Sequence, residues 1–452
     1  MLTIACCGVS RGQAAAPSPN VSPEESRGSN SDQNNHFGDF PADPGPIATD
    51  LDPTLNPDAI KKIEARVADW QLARARPYFN QQWTFGALYG GFLAASTATG
   101  DLKYHDAMLA LGEGFKWRMQ GGGRGGFNGG GANAATAPAR QSQQPIAGNS
   151  EALGQTYLDL YLQYKNPWML EPTQTALDSQ FGIETFPAGG AGRRGGRGGG
   201  PTTRPGAAQA TRMPPDAGTD PTRNPHHIIW WWCDALYMAP PAWARMYKIT
   251  GDKKYLDYID HQWSITSGYL YDTEEHLYYR DASHIPLREA NGKKLFWSRG
   301  EGWVMGGLAR TLEDMPDDYA PKAKYVAQFK EMAAKLASLQ GDDGLWRAGL
   351  LDPDFYGEPE NSGSSFITYA MTWGMNAGIL DKATYVPVVK KAWKGLVSHI
   401  HQDGRLDCIQ QTGSAPAKFA TSSSYVYGVG AFLLAGREMN ILSLTLPPEL
   451  RN

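Results

Sequence analysis

Residues 240–264 read PPAWARMYKITGDKKYLDYIDHQWS, two helical stretches joined through Gly251-Asp252-Lys253-Lys254-Tyr255. Pro240–Thr250 and Tyr255–Ser264 each repeat apolar residues at three- and four-residue steps. Gly251 is suited to end the first helix in the left-handed conformation, and Asp252 to cap the second. The same punctuation returns at Gly100-Asp101-Leu102-Lys103-Tyr104 and at Asp381-Lys382-Ala383-Thr384-Tyr385. A second recurring turn, Asp343-Gly344-Leu345-Trp346 and Asp403-Gly404-Arg405-Leu406, also follows a helical stretch. Recurring helical hairpins of this kind stack into a solenoid or close into a toroid.

Outward from that hairpin, Asp58–Ala75, Leu153–Tyr164, Gly300–Thr311, Ala320–Leu339, Ser365–Ala377, Tyr385–Ile400 and Ser424–Glu438 show the helical period. Strand-like alternation is confined to short pieces such as His276–Arg280. Three stretches lack the apolar content of a core: residues 1–55, Gly121–Ala147 and Ala188–Thr222. The first reads as a disordered leader. The other two are Gly/Arg-rich and read as surface-loop insertions, although short Arg-Gly-Gly runs also occur in RNA-binding segments. Roughly 335 residues remain, and about twelve helices of about 28 residues each with their loops would fill them. The expectation is an all-α fold, an (α/α)6 barrel over residues 56–441, with the two Gly-rich loop insertions and a C-terminal tail, 442–452.

Charge and cysteine usage narrow the function. The 42 Lys+Arg against 46 Asp+Glu give a net charge of −4, which excludes a dedicated binder of nucleic acid or anionic membranes. No apolar run reaches the ~18 residues of a membrane span. Cys233 and Cys408 stand alone, without metal or redox spacing, and read as buried thiols. Met1–Cys7 resembles the end of a lipoprotein export signal, which makes Cys6 or Cys7 a candidate lipid anchor. A periplasmic or secreted location is therefore expected, with the cytoplasm as the alternative.

Four polar-aromatic clusters carry the chemistry. In Asn224–Pro241, NPHHIIWWWCDALYMAPP, three Trp precede Asp234. A carboxyl flanked by indoles is partly desolvated and suited to acid–base work, and indole faces stack on sugars. The competing reading makes Asp234 a helix cap and the Trp residues core. His226 and His227 are adjacent and lack the i, i+4 spacing of a helical metal site, so neither metal nor cofactor is expected. In Phe296–Trp303, FWSRGEGW, Arg299 lies between Trp297 and Trp303, where a guanidinium can bind a carboxylate or cover a helix start. Glu360–Ser365 and Gly148–Glu151 are the third and fourth clusters. Each cluster opens a different helix, and together they would meet at one mouth of a toroid as a saccharide-processing cleft.

Trp232-x-Asp234 running into Ala235–Pro241, the W-S-R-G-x-G-W of Trp297–Trp303, the N-S-G-S of Asn361–Ser364 and Gly428–Ala435 together resemble glycoside hydrolase family 105. These are the unsaturated rhamnogalacturonyl and related uronyl hydrolases. The resemblance covers about residues 58–440 and implies an (α/α)6 barrel. It also implies removal of a Δ4,5-unsaturated uronic acid from lyase-generated oligosaccharides, rhamnogalacturonan products first among them, by hydration of the C4–C5 double bond. Carried onto this chain, it makes Asp234 catalytic and puts Trp232, Met238, Trp297, Arg299, Trp303, Arg280 and Ser364 at the substrate, with Arg299 facing the uronate carboxylate. Two positions depart from the family: Asn149 stands where members have Asp, with Glu151 as the nearby acid, and Arg280 or His284 fills the place of a His. The alternatives are an inverting glycosidase or sugar epimerase on the same barrel, or a non-catalytic carbohydrate-binding protein. The expected partner is an unsaturated oligosaccharide, and the expected state a monomer or weak homo-oligomer.

Overall fold

The computed structural model describes residues 45–119, 148–183 and 228–447. The leader up to residue 44 with Cys6 and Cys7, both Gly-rich insertions, His226, His227 and the last five residues of the tail lie outside them. Among the described residues, an inner ring has six positions: α2 (Trp83–Thr99), α4 (Gly148–Tyr164), the broken pair α6 (Ala235–Met238) and α7 (Pro240–Thr250), α9 (Ser298–Leu312), α12 (Asn361–Asn376) and α14 (Val426–Thr445). Each touches the next in chain order, and α14 packs back on α2, so the ring closes. Outside it stand α1 (Pro57–Ala75), α3 (Leu102–Gly114), α5 (Pro167–Asp178), α8 (Lys254–Leu270), α10 (Lys322–Ser338) and α13 (Lys382–Val397). This is the expected (α/α)6 barrel. A short helix α11 (Pro353–Tyr356) sits in one connection.

Inner and outer helices differ in what they bury. Every residue of α9 is buried, whereas α10 buries Tyr325, Phe329, Met332, Ala333 and Leu336, one stripe of its surface. Closure depends on missing side chains. A Cβ on Gly91 of α2 would lie 2.6 Å from the carbonyl oxygen of Gly430 on α14, and one on Gly430 would lie 2.4 Å from that of Ala87. The two backbones are therefore in contact, and neither position has room for a methyl group.

The turns run as the punctuation predicts. Gly100 (φ 79°) and Gly251 (φ 73°) end α2 and α7 in the left-handed region. Asp101 and Asp252 then accept the amides of Lys103 and Lys254, each at 3.0 Å. These inner-to-outer connections are short, and the return connections are long: 115–147, 179–234, 271–297, 339–360 and 398–425. All six inner helices consequently run parallel, with their N-terminal ends gathered at one mouth. Between α8 and α9 a hairpin of β1 (Tyr271–Asp272) and β2 (Leu277–Tyr278) hangs at that end.

Both outer boundaries differ from the sequence reading. Residues 46–48 pair with 400–402 through Ala48 N to Ile400 O (2.8 Å) and Gln402 N to Pro46 O (2.9 Å). Asp50 is ion-paired with Lys62 and Arg66 of α1. At the other end α14 continues past residue 441 with Leu442 buried.

Candidate active site

The break between α6 and α7 is written in the chain. Pro241 has no N–H for the carbonyl of Tyr237, and Ala242 N turns to Ala239 O at 2.9 Å. Gln155 of α4 takes the two freed carbonyls, donating Nε2 to Tyr237 O (2.7 Å) and Met238 O (3.1 Å). The short helix is thus fixed to its neighbour, and Asp234 stands immediately before it at the mouth.

Asp234 does not cap that helix: its carboxylate makes no bond to the first-turn amides. It faces Arg280 instead, with Nε 3.5 Å from Oδ2, and Cys233 Sγ lies 3.6 Å from the same oxygen. The strand-like contact Trp232 with Asp281 and the bond from Cys233 N to Arg280 O (2.8 Å) bring the two segments together. Behind Arg280, Nη1 donates to Asp281 Oδ2 at 2.7 Å, and His284 Nδ1 lies 3.0 Å from Asp281 Oδ1. Burial disfavours the Asp281 carboxylate, yet the hydrogen bond and charge of His284, with Arg280 and Ser283, hold it well below the usual range. Burial also opposes the charge on Arg280, and Asp234 and Asp281 outweigh it. The guanidinium lies 5.4 Å from the ring of half-buried Trp231, which in turn lies 4.7 Å from Trp232.

Glu301 braces this arrangement from α9. It is fully buried, and Oε1 accepts the amide of Tyr278 at 2.8 Å, fixing the hairpin that leads into Arg280. Burial pushes its carboxyl well above the ordinary range, only partly opposed by that bond. The Cys233 thiol is raised too, first by burial and then by the charges of Asp234 and Glu301.

Several expected ligand contacts take other roles. Arg299 is 1% exposed. Nη1 donates to Gln410 O (2.6 Å) and Tyr427 Oη (3.1 Å), and Nη2 to Gln411 O (2.8 Å). Its guanidinium lies 4.2 Å from the Trp297 ring centre, and Trp297 Nε1 donates to Gln410 Oε1 at 2.8 Å. Arg299 and Trp297 therefore fasten the loop before α14, and the expected carboxylate partner of Arg299 is replaced by carbonyls. Trp303, Met238 and Ser364 have no exposed surface. Trp303 packs on Phe366 and Tyr237, at 4.3 and 4.8 Å between ring centres, and Ser364 Oγ accepts Trp346 N at 3.0 Å. These three support the mouth from beneath.

The two residues at the α4 start separate. Gly148 is close to Ala235, where an added Cβ would come within 3.3 Å of the alanine methyl. Half-buried Asn149 thus begins α4 beside the segment that carries Asp234. Glu151 points away from it: Oε1 accepts Trp243 Nε1 at 2.7 Å inside the wall, and burial raises its pKa to about 8, the Trp243 bond opposing. Among the described residues, His399, Asp407 and Cys408 form a group with metal-type donors, on the connection before α14. Sequence reasoning passed over Trp231, Glu301, Gln410 and Tyr427. The run of three Trp signalled the first, and nothing local signals the other three.

The family profile for Glycosyl Hydrolase Family 88 matches residues 58–442. An "Unsaturated 3S-rhamnoglycuronyl hydrolase" of Formosa agariphila is 36% identical over 396 residues, 85% of this chain and 91% of that protein. A solved protein described as a polysaccharide lyase is 27% identical with a TM-score of 0.69, covering 86% of this chain and 99% of its own. A family 105 glycoside hydrolase of C. acetobutylicum shares the fold at 20% identity and a TM-score of 0.58, covering 84% and 98%. With the profile spanning nearly all of the barrel, the chain belongs to glycosyl hydrolase family 88.

Proposed function

We propose that this glycosidase removes a Δ4,5-unsaturated uronic acid from the non-reducing end of oligosaccharides left by lyases, with Asp234 as the proton donor. The C4–C5 π pair takes the Asp234 proton at C4, and the positive charge left at C5 is shared with the ring oxygen. Water adds at C5 and gives a proton back to the Asp234 carboxylate. The hemiketal opens to a ketone, leaving C1 a hemiacetal that expels the alcohol of the next sugar as an aldehyde forms. One water is consumed, and one carboxyl group suffices.

The observation that carries this reading is the setting of Asp234: it caps nothing, stands at the mouth and has Arg280 at 3.5 Å. Asn149 in place of a second acid and Glu151 turned into the wall suit a single-carboxyl reaction. An inverting glycosidase needs two carboxyl groups facing across the cleft. Among saccharides we place rhamnoglycuronyl products first, because the relative of that name matches over most of both chains. Export through the Ala5-Cys6-Cys7 stretch belongs to the same proposal and is tested by cell fractionation of Cys6→Ser and Cys7→Ser variants.

The test is to incubate the enzyme with unsaturated rhamnoglycuronyl and rhamnogalacturonyl disaccharides and follow the ultraviolet absorbance of the enol-carboxylate. A fall with one substrate is expected. A rise on intact polysaccharide would mark a lyase, and release of reducing sugar at constant absorbance would mark an ordinary glycosidase.

A further inference from the structure

The substrate proposed above carries a carboxylate at C5, next to the double bond, and this anion needs a cation within reach of Asp234. Arg299 does not supply it, because Nη1 and Nη2 are bonded to the carbonyls of Gln410 and Gln411 and the side chain is 1% exposed. Arg280 is the cation that the structure sets against Asp234. Its side chain retains 18% exposure, while its Nε is buried, has no hydrogen-bond partner and lies 3.5 Å from Asp234 Oδ2.

Charge counting around this group gives it a second role. The titratable groups facing it are Asp234 and Cys233 on the catalytic segment, Asp281 and His284 beyond the hairpin, and buried Glu301 on α9. In the resting arrangement Arg280 is shared between Asp234 and Asp281. The reaction requires Asp234 to carry the proton it donates, and in that form Arg280 retains one anionic partner, Asp281, and an unmatched Nε edge. A substrate carboxylate reaching the exposed part of the guanidinium restores the second charge-assisted contact, while the buried Nε stays against Asp234. Asp281 and His284 hold the guanidinium from behind, so it can change partners without leaving its place.

We propose that Arg280 is the uronate-recognition residue of this enzyme, exchanging the Asp234 carboxylate for the substrate carboxylate on binding, with Asp281 and His284 as its positioning residues. This rests on the reading of the chain as an unsaturated uronyl hydrolase. It makes the enzyme specific for the free acid: a methyl-esterified unsaturated uronide presents the same double bond without the charge that Arg280 needs.

The experiment compares kcat/KM for an unsaturated uronyl disaccharide and its methyl ester, in the wild type and in Arg280→Gln, Arg280→Lys, Asp281→Asn and Arg299→Lys. The acid-to-ester ratio is independent of the fraction of correctly folded protein, so a partly folded variant still reports. The wild type is expected to prefer the acid on the order of 10- to 100-fold, the range of one charged hydrogen bond. Arg280→Gln should bring the ratio close to one, Arg280→Lys should keep part of it, and Asp281→Asn should lower it by raising KM for the acid. An unchanged ratio in Arg280→Gln, or a ratio that collapses in Arg299→Lys instead, overturns the assignment. So does a wild type that does not distinguish acid from ester. A wild type that turns over neither compound refutes the uronyl hydrolase reading itself, and this inference with it.

Discussion

Replacing Glu151 by Gln separates wall from active site. Glu151 is 2% exposed, and its carboxyl is held protonated to about pH 8 by burial, with the Trp243 bond opposing, against 4.5 for an ordinary Glu. The unfolded chain releases that proton near 4.5, and the native protein keeps it until about 8. Its stability contribution is therefore complete below the lower value and is lost as pH rises through the upper one. At about 1.36 kcal/mol per pH unit, the loss between pH 5 and pH 9 is on the order of 4 kcal/mol. Glutamine has no proton to lose, and its carbonyl can still accept Trp243 Nε1. Glu64, Glu289, Glu301 and Glu438 are also raised by burial, but they are common to both proteins. The difference between wild type and Glu151→Gln at each pH isolates Glu151. Urea unfolding at pH 5, 7 and 9 should show the variant gaining on the wild type with rising pH, with turnover of the unsaturated disaccharide retained. Parallel stability curves would refute the burial argument. A folded variant with at least 100-fold lower kcat would place Glu151 in the chemistry and would refute the single-carboxyl reading.

Asp234→Asn should fold normally and lose about 10²–10⁴-fold in kcat, the contribution of a proton donor; retained absorbance loss would remove Asp234 from the mechanism. Arg299→Lys should cost about 2–4 kcal/mol in denaturant unfolding, since one ammonium cannot reach both loop carbonyls and the phenol of Tyr427. Gly430→Ala should cost about 1–3 kcal/mol, because its methyl would sit 2.4 Å from the Ala87 carbonyl oxygen. A neutral result there would mean that the ring closes more loosely than described.

Helices with an apolar stripe are legible, most plainly the two-faced outer helices α1 and α10. Residues 58–75 and 320–339 carry stripes at helical steps, and α1 and α10 appear there. The inner helix α2, WTFGALYGGFLAASTAT, is buried on nearly every side and has no stripe to find, so periodicity passed over it. The α5 helix was missed for another reason, a proline inside it at Pro172. At the site, the sequence marked Asp234, Trp232, Arg280 and Asn149, which the structure gathers around the start of α6 or next to it. It also marked Arg299, Trp303, Met238 and Ser364, which are buried behind that surface. Motif residues report that a position matters, and a side chain that builds the mouth matters as much as one that meets the sugar.

What the sequence by itself determined is local: helices from period, turns from Gly-Asp punctuation, the α6–α7 break from Pro240-Pro241, and an aromatic carboxyl segment suited to sugar chemistry. These follow from interactions within a few residues, and the chain carries them wherever it folds. Which cation faces Asp234, which way Glu151 points, and whether Arg299 meets carbonyls or a ligand depend on contacts between residues 46 to 112 positions apart. Such pairs are fixed when the ring of helices closes, and its close approaches, as at Gly91 and Gly430, leave no freedom to arrange them otherwise.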